Sequence, residues 1–112
     1  MAIDECNERE TWITTITFED QDGDPAIPTT AVYRIDDIGS QTVIRSNTEI
    51  AALAASKEVT WTEDDTQIVD SSNSYELRIM TVFWTFSTDK HGSKVYYLNI
   101  KNLYKVTSTS PA

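Results

Sequence analysis

Hydrophobic and polar residues alternate along much of the chain, and alternation over short runs predicts half-buried β-strands. Such runs fall at residues 11–18, 30–35, 41–45, 58–62, 75–86 and 94–106. Turn residues separate the runs, and no strand–helix–strand pattern is evident. The pattern therefore predicts an all-β domain of about six or seven strands, built as a sandwich or a barrel.

The run at residues 75–86 is the longest apolar signal in the chain. A strand that is apolar on both faces is typical of the interior of a sheet. We therefore expect this run to form a central strand. Its alternate residues divide into two largely apolar faces, which are Met80, Val82, Trp84 and Phe86 on one side and Leu77, Ile79, Thr81 and Phe83 on the other.

Of two connections in the first half of the chain, the sequence predicts the structure of one and leaves the other open. Residues 36–40 are typical of a hairpin turn. The strands at 30–35 and 41–45 should therefore pair antiparallel, because so short a connection cannot cross over. Residues 47–56 contain alanines that favour helix but lie between strands, so either a short helical turn or an irregular edge segment is expected there.

The chain of 112 residues has the length of one domain, with flexible arms expected at about 1–9 and 107–112. Its 9 basic and 18 acidic side chains give a formal net charge of −9. Nucleic-acid affinity depends on Lys and Arg that neutralise phosphates, and anionic lipids repel the same acidic surface. The charge therefore argues against both nucleic-acid and membrane binding.

The N-terminal residues contain no basic region followed by an apolar stretch, so we expect no signal peptide and synthesis in a cytoplasm. No run reaches the length of a membrane span. The one cysteine, Cys6, excludes an internal disulfide. Its position near an acidic N-terminus predicts a solvent-exposed or lightly packed thiol.

Alternating acids in one turn are the feature most similar to a metal site. Asp20, Asp22 and Asp24 are spaced as in the opening of a calcium-binding loop. The EF-hand pattern also needs Gly at its sixth position and Glu at its twelfth, where this chain has Pro25 and Ala31. We therefore predict a solvated turn in which the acids bond their own backbone, and no metal site.

The remaining candidates for chemistry lack the partners that catalysis requires. The acids at 36–37 and 63–65 are interpreted as turn residues, because consecutive residues on an extended chain point apart. His91 is expected in a polar loop from 87 to 93, where Asp89 and Ser93 are ordinary neighbours and do not form a triad. One histidine and one cysteine also make nitrogen–sulfur metal ligation improbable. We predict no catalytic, cofactor-binding or metal-binding residues, and no enzyme.

Aromatic residues cluster in the two C-terminal strands. A stacking platform for sugars or bases is one interpretation, but the Arg and Lys that accompany nucleic-acid stacking are missing from the central strand. We favour core packing and cross-strand pairs. Some outward aromatics, above all Tyr96 and Tyr97, are expected to form a protein interface. The aromatics concerned are Phe83, Trp84, Phe86, Tyr96 and Tyr97.

Five short phrases of the chain resemble small structural proteins of tailed bacteriophages. The first is PTTAVYRIDD at 28–37, which is followed by the short strand TVI at 42–44. The turn TQIVD at 66–70 and the strand ELRIMTV at 76–82 come next. The chain then carries YLNIKNL at 97–103, which matches with one residue inserted.

The resemblance extends over about residues 28–104 and implies an immunoglobulin-like antiparallel β-sandwich. It further implies a virion protein that decorates the capsid or belongs to the head–tail junction or the tail. Such a protein would bind other virion proteins in a symmetric, multi-copy assembly. The alternative function is a stand-alone binding module for carbohydrate or a host surface.

Overall fold

The structure is a computed structural model that describes residues 3–51, 53–87 and 90–102. The described residues form strands and no helix, so the prediction of an all-β domain is confirmed. The strands are β1 (Asp4–Asn7), β2 (Trp12–Thr17), β3 (Thr30–Asp37), β4 (Thr42–Glu49), β5 (Ser56–Trp61), β6 (Tyr75–Ser87) and β7 (Lys90–Lys101).

The strands divide into a five-stranded sheet of order β1-β7-β6-β3-β4 and a two-stranded sheet of order β2-β5. β6 lies between β7 and β3, which confirms the prediction of a central strand. β3 and β4 pair antiparallel, also as predicted. β1 pairs parallel with β7, so the larger sheet is mixed, and the expectation of antiparallel pairing throughout is wrong.

The N-terminal segment contains a strand that the sequence pattern does not indicate. A flexible arm was expected at 1–9, but residues 4–7 form β1 and pair with residues 98–101 of β7. Backbone hydrogen bonds hold this strand, and Cys6 is its one buried side chain. A single apolar residue among polar neighbours produces no alternation, which explains why the sequence pattern missed the strand. The arm expected at 107–112 lies outside the described residues.

Two other boundaries differ from the prediction. The uncertain segment at 47–56 contains no helix in its described residues, because β4 continues to Glu49 and β5 begins at Ser56. β7 begins at Lys90, so the expected polar loop at 87–93 is mostly strand. In both places backbone pairing with a neighbouring strand extends the element beyond its apolar residues.

Side chains from both sheets pack into one buried cluster. The two-stranded sheet contributes Ile16, Val59 and Trp61, and the Trp61 indole Nε1 donates to Thr14 Oγ1 at 2.9 Å. Phe18 meets the ring of Trp84 edge-on, with ring centroids 5.3 Å apart. The five-stranded sheet contributes one face each of β1, β3, β6 and β7, namely Cys6, Ala31, Tyr33, Ile35, Met80, Val82, Trp84, Leu98 and Ile100, and the partly buried Ile44 of β4 packs against them.

Gly92 marks the place where β7 approaches an aromatic ring most closely. It pairs with Trp84, and a Cβ at this position would lie well inside van der Waals contact of the indole atoms Cε2 and Nε1. A glycine inside a strand commonly permits such a close approach. The indole Nε1 also donates to the carbonyl of Glu19 at 3.2 Å, which fixes the ring over the strand.

Candidate interaction surface

The outer face of the five-stranded sheet consists of the side chains that alternate away from the buried cluster. On β6 the residues from Tyr75 to Phe83 at odd positions lie on this face. Register pairs Ile79 with Tyr97 of β7, and Phe83 with Val32 of β3. We name this surface the outer apolar face, and its apolar members are Val32, Val43, Tyr75, Leu77, Ile79, Phe83, Val95 and Tyr97.

Several members of the outer apolar face are strongly exposed. Phe83 is 47% exposed, Tyr75 45%, Val95 41% and Val43 50%. Isolated exposed hydrophobic residues are ordinary, but a contiguous patch marks an interaction site. Nothing in the described part of the chain covers this one.

Charge is sparse on the outer apolar face. Arg34 and Asp36 lie side by side on β3, and Arg34 Nε and Nη2 donate to the two carboxylate oxygens of Asp36 at 3.0 and 2.8 Å. The other charged residues lie toward its margins: Lys101 beside Tyr75, Glu49 beside Val32, and Glu5 on β1. The centre of the face therefore carries no net charge: Thr81 of β6 lies there between Val95 of β7 and Arg34, whose charge Asp36 neutralises.

The two-stranded sheet presents a different outer face. Its outward side chains are hydroxyls and one carboxylate, with Ile13 as the single apolar exception, 56% exposed. Such a face is well solvated and needs no partner. The outward residues are Ile13, Thr15, Thr17, Ser56, Glu58 and Thr60.

A buried ionic cluster lies at one end of the inner face of the larger sheet. The side chain of Arg78 is fully buried, and its Nε donates to Asp37 Oδ1 at 2.9 Å. Its Nη2 donates to Glu76 Oε1 at 2.6 Å. The same guanidinium also donates to the carbonyls of Asp65 and Gln67, at 2.6 and 2.7 Å. Arg78 thereby ties the loop after β5 to the sheet.

The two carboxylates of this cluster are equally well satisfied. Burial by itself raises the pKa of Asp37, but hydrogen bonds from Ser40 and Arg78 outweigh it and hold that pKa below its ordinary value. Burial likewise acts to raise the pKa of Glu76, and the backbone N–H groups of Val69 and Asp70 bring it below the ordinary value. Because these groups are saturated by the protein, the cluster is a structural element rather than a ligand site.

Asp65 extends this network toward the surface. Its carboxylate accepts from Arg45 Nε and Nη2, each at 3.0 Å, and from the backbone N–H of Thr62 at 2.8 Å. Asp37 and Asp65 were both interpreted as turn residues. Asp65 does lie in the turn after β5, whereas Asp37 is the last residue of β3, and both are buried in ion pairs that the sequence pattern did not indicate. The prediction that consecutive residues point apart is confirmed. Asp36 accepts from Arg34 on the outer face of the sheet, whereas Asp37 accepts from Arg78 on the inner face.

The acidic turn forms the local backbone structure expected of it. Asp20 Oδ1 accepts from the backbone N–H groups of Asp22 and Asp24, at 2.9 and 3.1 Å. The chain reverses tightly here, and the Asp20 carbonyl also accepts from the N–H of Gly23 at 3.0 Å. This is the solvated-turn arrangement that the sequence predicted.

The two reactive side chains lie far from one another in the sheet. His91 is on β7, paired with Thr85 of β6, rather than in a loop. Cys6 is buried, contrary to the expectation of an exposed thiol. Burial raises the pKa of Cys6 to about 11, with the Glu10 carboxylate adding to the effect, so the thiol stays protonated at neutral pH.

The aromatic residues do not form one platform. Trp84 is buried, and Phe86 and Tyr96 pack against the buried cluster. Phe83 and Tyr97 lie on the outer apolar face. Alternation along the strands therefore separates the aromatics, and the expected outward position holds for Tyr97 but not for Tyr96.

The buried ionic cluster was missed at the level of sequence. The signal for it is the position of Glu76 and Arg78, which share the strand face of Met80 and Val82. Charged residues on the same strand face as core residues must either reach solvent where the strand bends or be buried with a partner of opposite charge. Here both are buried and paired.

Comparison with family models, with curated proteins and with solved structures finds no match to this chain. Within residues 3–51, 53–87 and 90–102, no three His, Cys, Asp or Glu side chains are placed to hold a metal ion. The same residues include no helix long and apolar enough to cross a membrane.

Proposed function

We propose that this protein is a structural component of a tailed-bacteriophage virion and acts through protein–protein contacts. The observation that carries the proposal is the outer apolar face, a contiguous hydrophobic sheet surface exposed on an otherwise acidic domain. The sequence phrases at 28–37, 76–82 and 97–103 support the choice of protein class. The domain would serve as a capsid decoration or as a head–tail or tail component, made in the bacterial cytoplasm and residing in the virion.

Strand order supports an immunoglobulin-like sandwich as the finer fold. β7-β6-β3-β4 corresponds to the order G-F-C-C′ of variable-type immunoglobulin domains, and β2-β5 corresponds to B-E. Residues from both sheets share one buried cluster, as in a sandwich. This fold would present the outer apolar face as one broad, rigid surface.

Co-sedimentation with assembled particles tests the proposal. The purified protein should sediment with capsids or tails of the phage that encodes it, and Phe83→Arg should abolish this binding. Ile13→Arg is the matched control, since Ile13 is 56% exposed, against 47% for Phe83, but lies on the two-stranded sheet. A protein that ignores both capsids and tails would overturn the proposal, and selective binding to glycans would favour a stand-alone module instead.

A further inference from the structure

We propose that the outer apolar face binds a second copy of this chain in a two-fold symmetric dimer. The inference deepens the proposed function and rests on it, since it takes the same surface to be a protein contact. A symmetric contact requires a surface that complements itself. The distribution of charge on this face meets that requirement.

The face is nearly neutral on a strongly acidic chain. The charged residues on it, by strand register, are Arg34, Lys101, Asp36, Glu5 and Glu49, with a net formal charge of −1. The whole chain carries −9. The acids therefore lie mainly elsewhere, and this face is where two copies approach with the least repulsion.

The positions of these charges are self-complementary. Lys101 lies on β7, one strand in from the β1 edge, and pairs with Tyr75 at one end of the sheet. Glu49 lies on the edge strand β4 toward the other end, where it pairs with Val32, across from Phe83. A two-fold axis between two facing sheets can bring Lys101 of each copy against Glu49 of the other. Near the centre, the neutralised pair of Arg34 and Asp36 adds no net charge.

A basic protein would bind this domain at its clusters of carboxylates, which lie away from the outer apolar face. Carboxylates concentrate in the turn at 20–24, on β5 at Glu58 and in the turn at 63–64, all of them off the outer apolar face. Long-range attraction would guide a cationic protein to those acids. An apolar, nearly neutral surface instead complements another apolar, nearly neutral surface, and this chain itself supplies one.

Sedimentation velocity of the full chain over a wide concentration range tests the dimer. The dissociation constant should fall as salt is raised, because screening weakens the repulsion between two chains of like net charge. Binding to a basic partner would show the opposite dependence. A wild-type protein that stays monomeric at every concentration and salt level would overturn the inference.

Substitutions on the face locate the contact. Phe83→Arg and, independently, Val95→Arg should each weaken dimerisation by about tenfold or more, as loss of a buried contact does. Ile13→Arg should leave it unchanged. Circular dichroism and urea unfolding of each variant confirm folding, and a folded Phe83→Arg and Val95→Arg that dimerise like wild type would exclude this face.

A charge swap distinguishes a second copy from any other partner. Lys101→Glu and Glu49→Lys should each weaken the dimer by about two- to fivefold, the usual strength of an exposed pair. The double variant should recover wild-type affinity, because both charges are supplied by the same chain. If the double variant does not recover wild-type affinity, Lys101 of one copy does not pair with Glu49 of the other, and the proposed arrangement of the dimer is wrong.

Particle binding separates the two proposals. A monomeric protein whose co-sedimentation with particles still depends on Phe83 would refute the second copy but support the structural role. A dimer that ignores particles would support the contact and refute the structural role.

Discussion

The N-terminal part of β6 buries charged residues on its inner face while its outer face is apolar along most of the strand. At its N-terminal half, Glu76 and Arg78 point inward and are buried, while Tyr75 and Leu77 point outward. Further along, Trp84 is buried and Phe83 is 47% exposed. The inner charges are accommodated because every one of them is hydrogen-bonded, whereas the outer apolar residues have no cover in the described chain.

This difference separates the side of β6 that stabilises the fold from the side that is proposed to bind a partner. Removing one member of the buried ionic cluster on the inner face would strongly destabilise the fold, since a charge would then be buried without its partner. The outer face would tolerate substitution in the isolated domain, since its side chains already contact water. Substitutions that differ only in the face they alter therefore test whether the two faces have different roles.

The largest effect is expected from Arg78→Met, which leaves the carboxylates of Asp37 and Glu76 buried without their cation. We expect the free energy of unfolding to fall by about 3–5 kcal/mol. Arg34→Met is the matched control on the outer face, where loss of a solvent-screened pair should cost far less. Urea denaturation measures both, and equal losses would show that the buried cluster has no special structural role.

A smaller loss is expected from Gly92→Ala, which forces a methyl group against the indole of Trp84. Overpacking of this kind costs about 1–3 kcal/mol. Gly39→Ala provides the control, because its Cβ would lie 3.9 Å from Asp37 Oδ2, an ordinary contact. If the two variants unfold at the same urea concentration, the close approach of β7 to Trp84 is not needed for stability.

Acid should destabilise the fold through the buried carboxylates of the inner face. The pKa values of Asp37 and Glu76 lie below their ordinary values, so the unfolded chain takes up these protons first as pH falls. Their contribution is complete above about pH 5 and is lost as pH falls through about 4 and below. The urea midpoint should decrease over that range, and Asp37→Asn should flatten the decrease. An unchanged slope in that variant would contradict the assignment.

The smallest effect on stability is expected from Phe83→Arg, the same substitution that should abolish particle binding and weaken dimerisation. It removes a cross-strand contact with Val32, which is worth about 0.2–1 kcal/mol. Urea unfolding at a protein concentration where wild type is monomeric measures this cost. A loss as large as that of Arg78→Met would mean that Phe83 supports the fold and is not primarily a contact residue.

Most strands could be predicted because each has its own alternation. The buried faces of β2, β3 and β6 agree with their sequence pattern, for example at Ile16, Tyr33 and Met80. β1 could not be predicted, because its single buried residue, Cys6, leaves no periodic trace. The extension of β4 to Glu49 was missed for a similar reason, since backbone pairing with β3 holds it.

The amino-acid sequence by itself determined the all-β class, the central place of β6 and the absence of an EF-hand pattern, because these depend on neighbouring residues. Only the tertiary structure decided that Asp37, Asp65 and Arg78 meet inside, since they come from β3, the loop after β5, and β6. It also decided that one sheet face is covered and the other exposed. Alternation shows that a strand has two apolar faces, but which face is buried depends on what the rest of the chain packs against it.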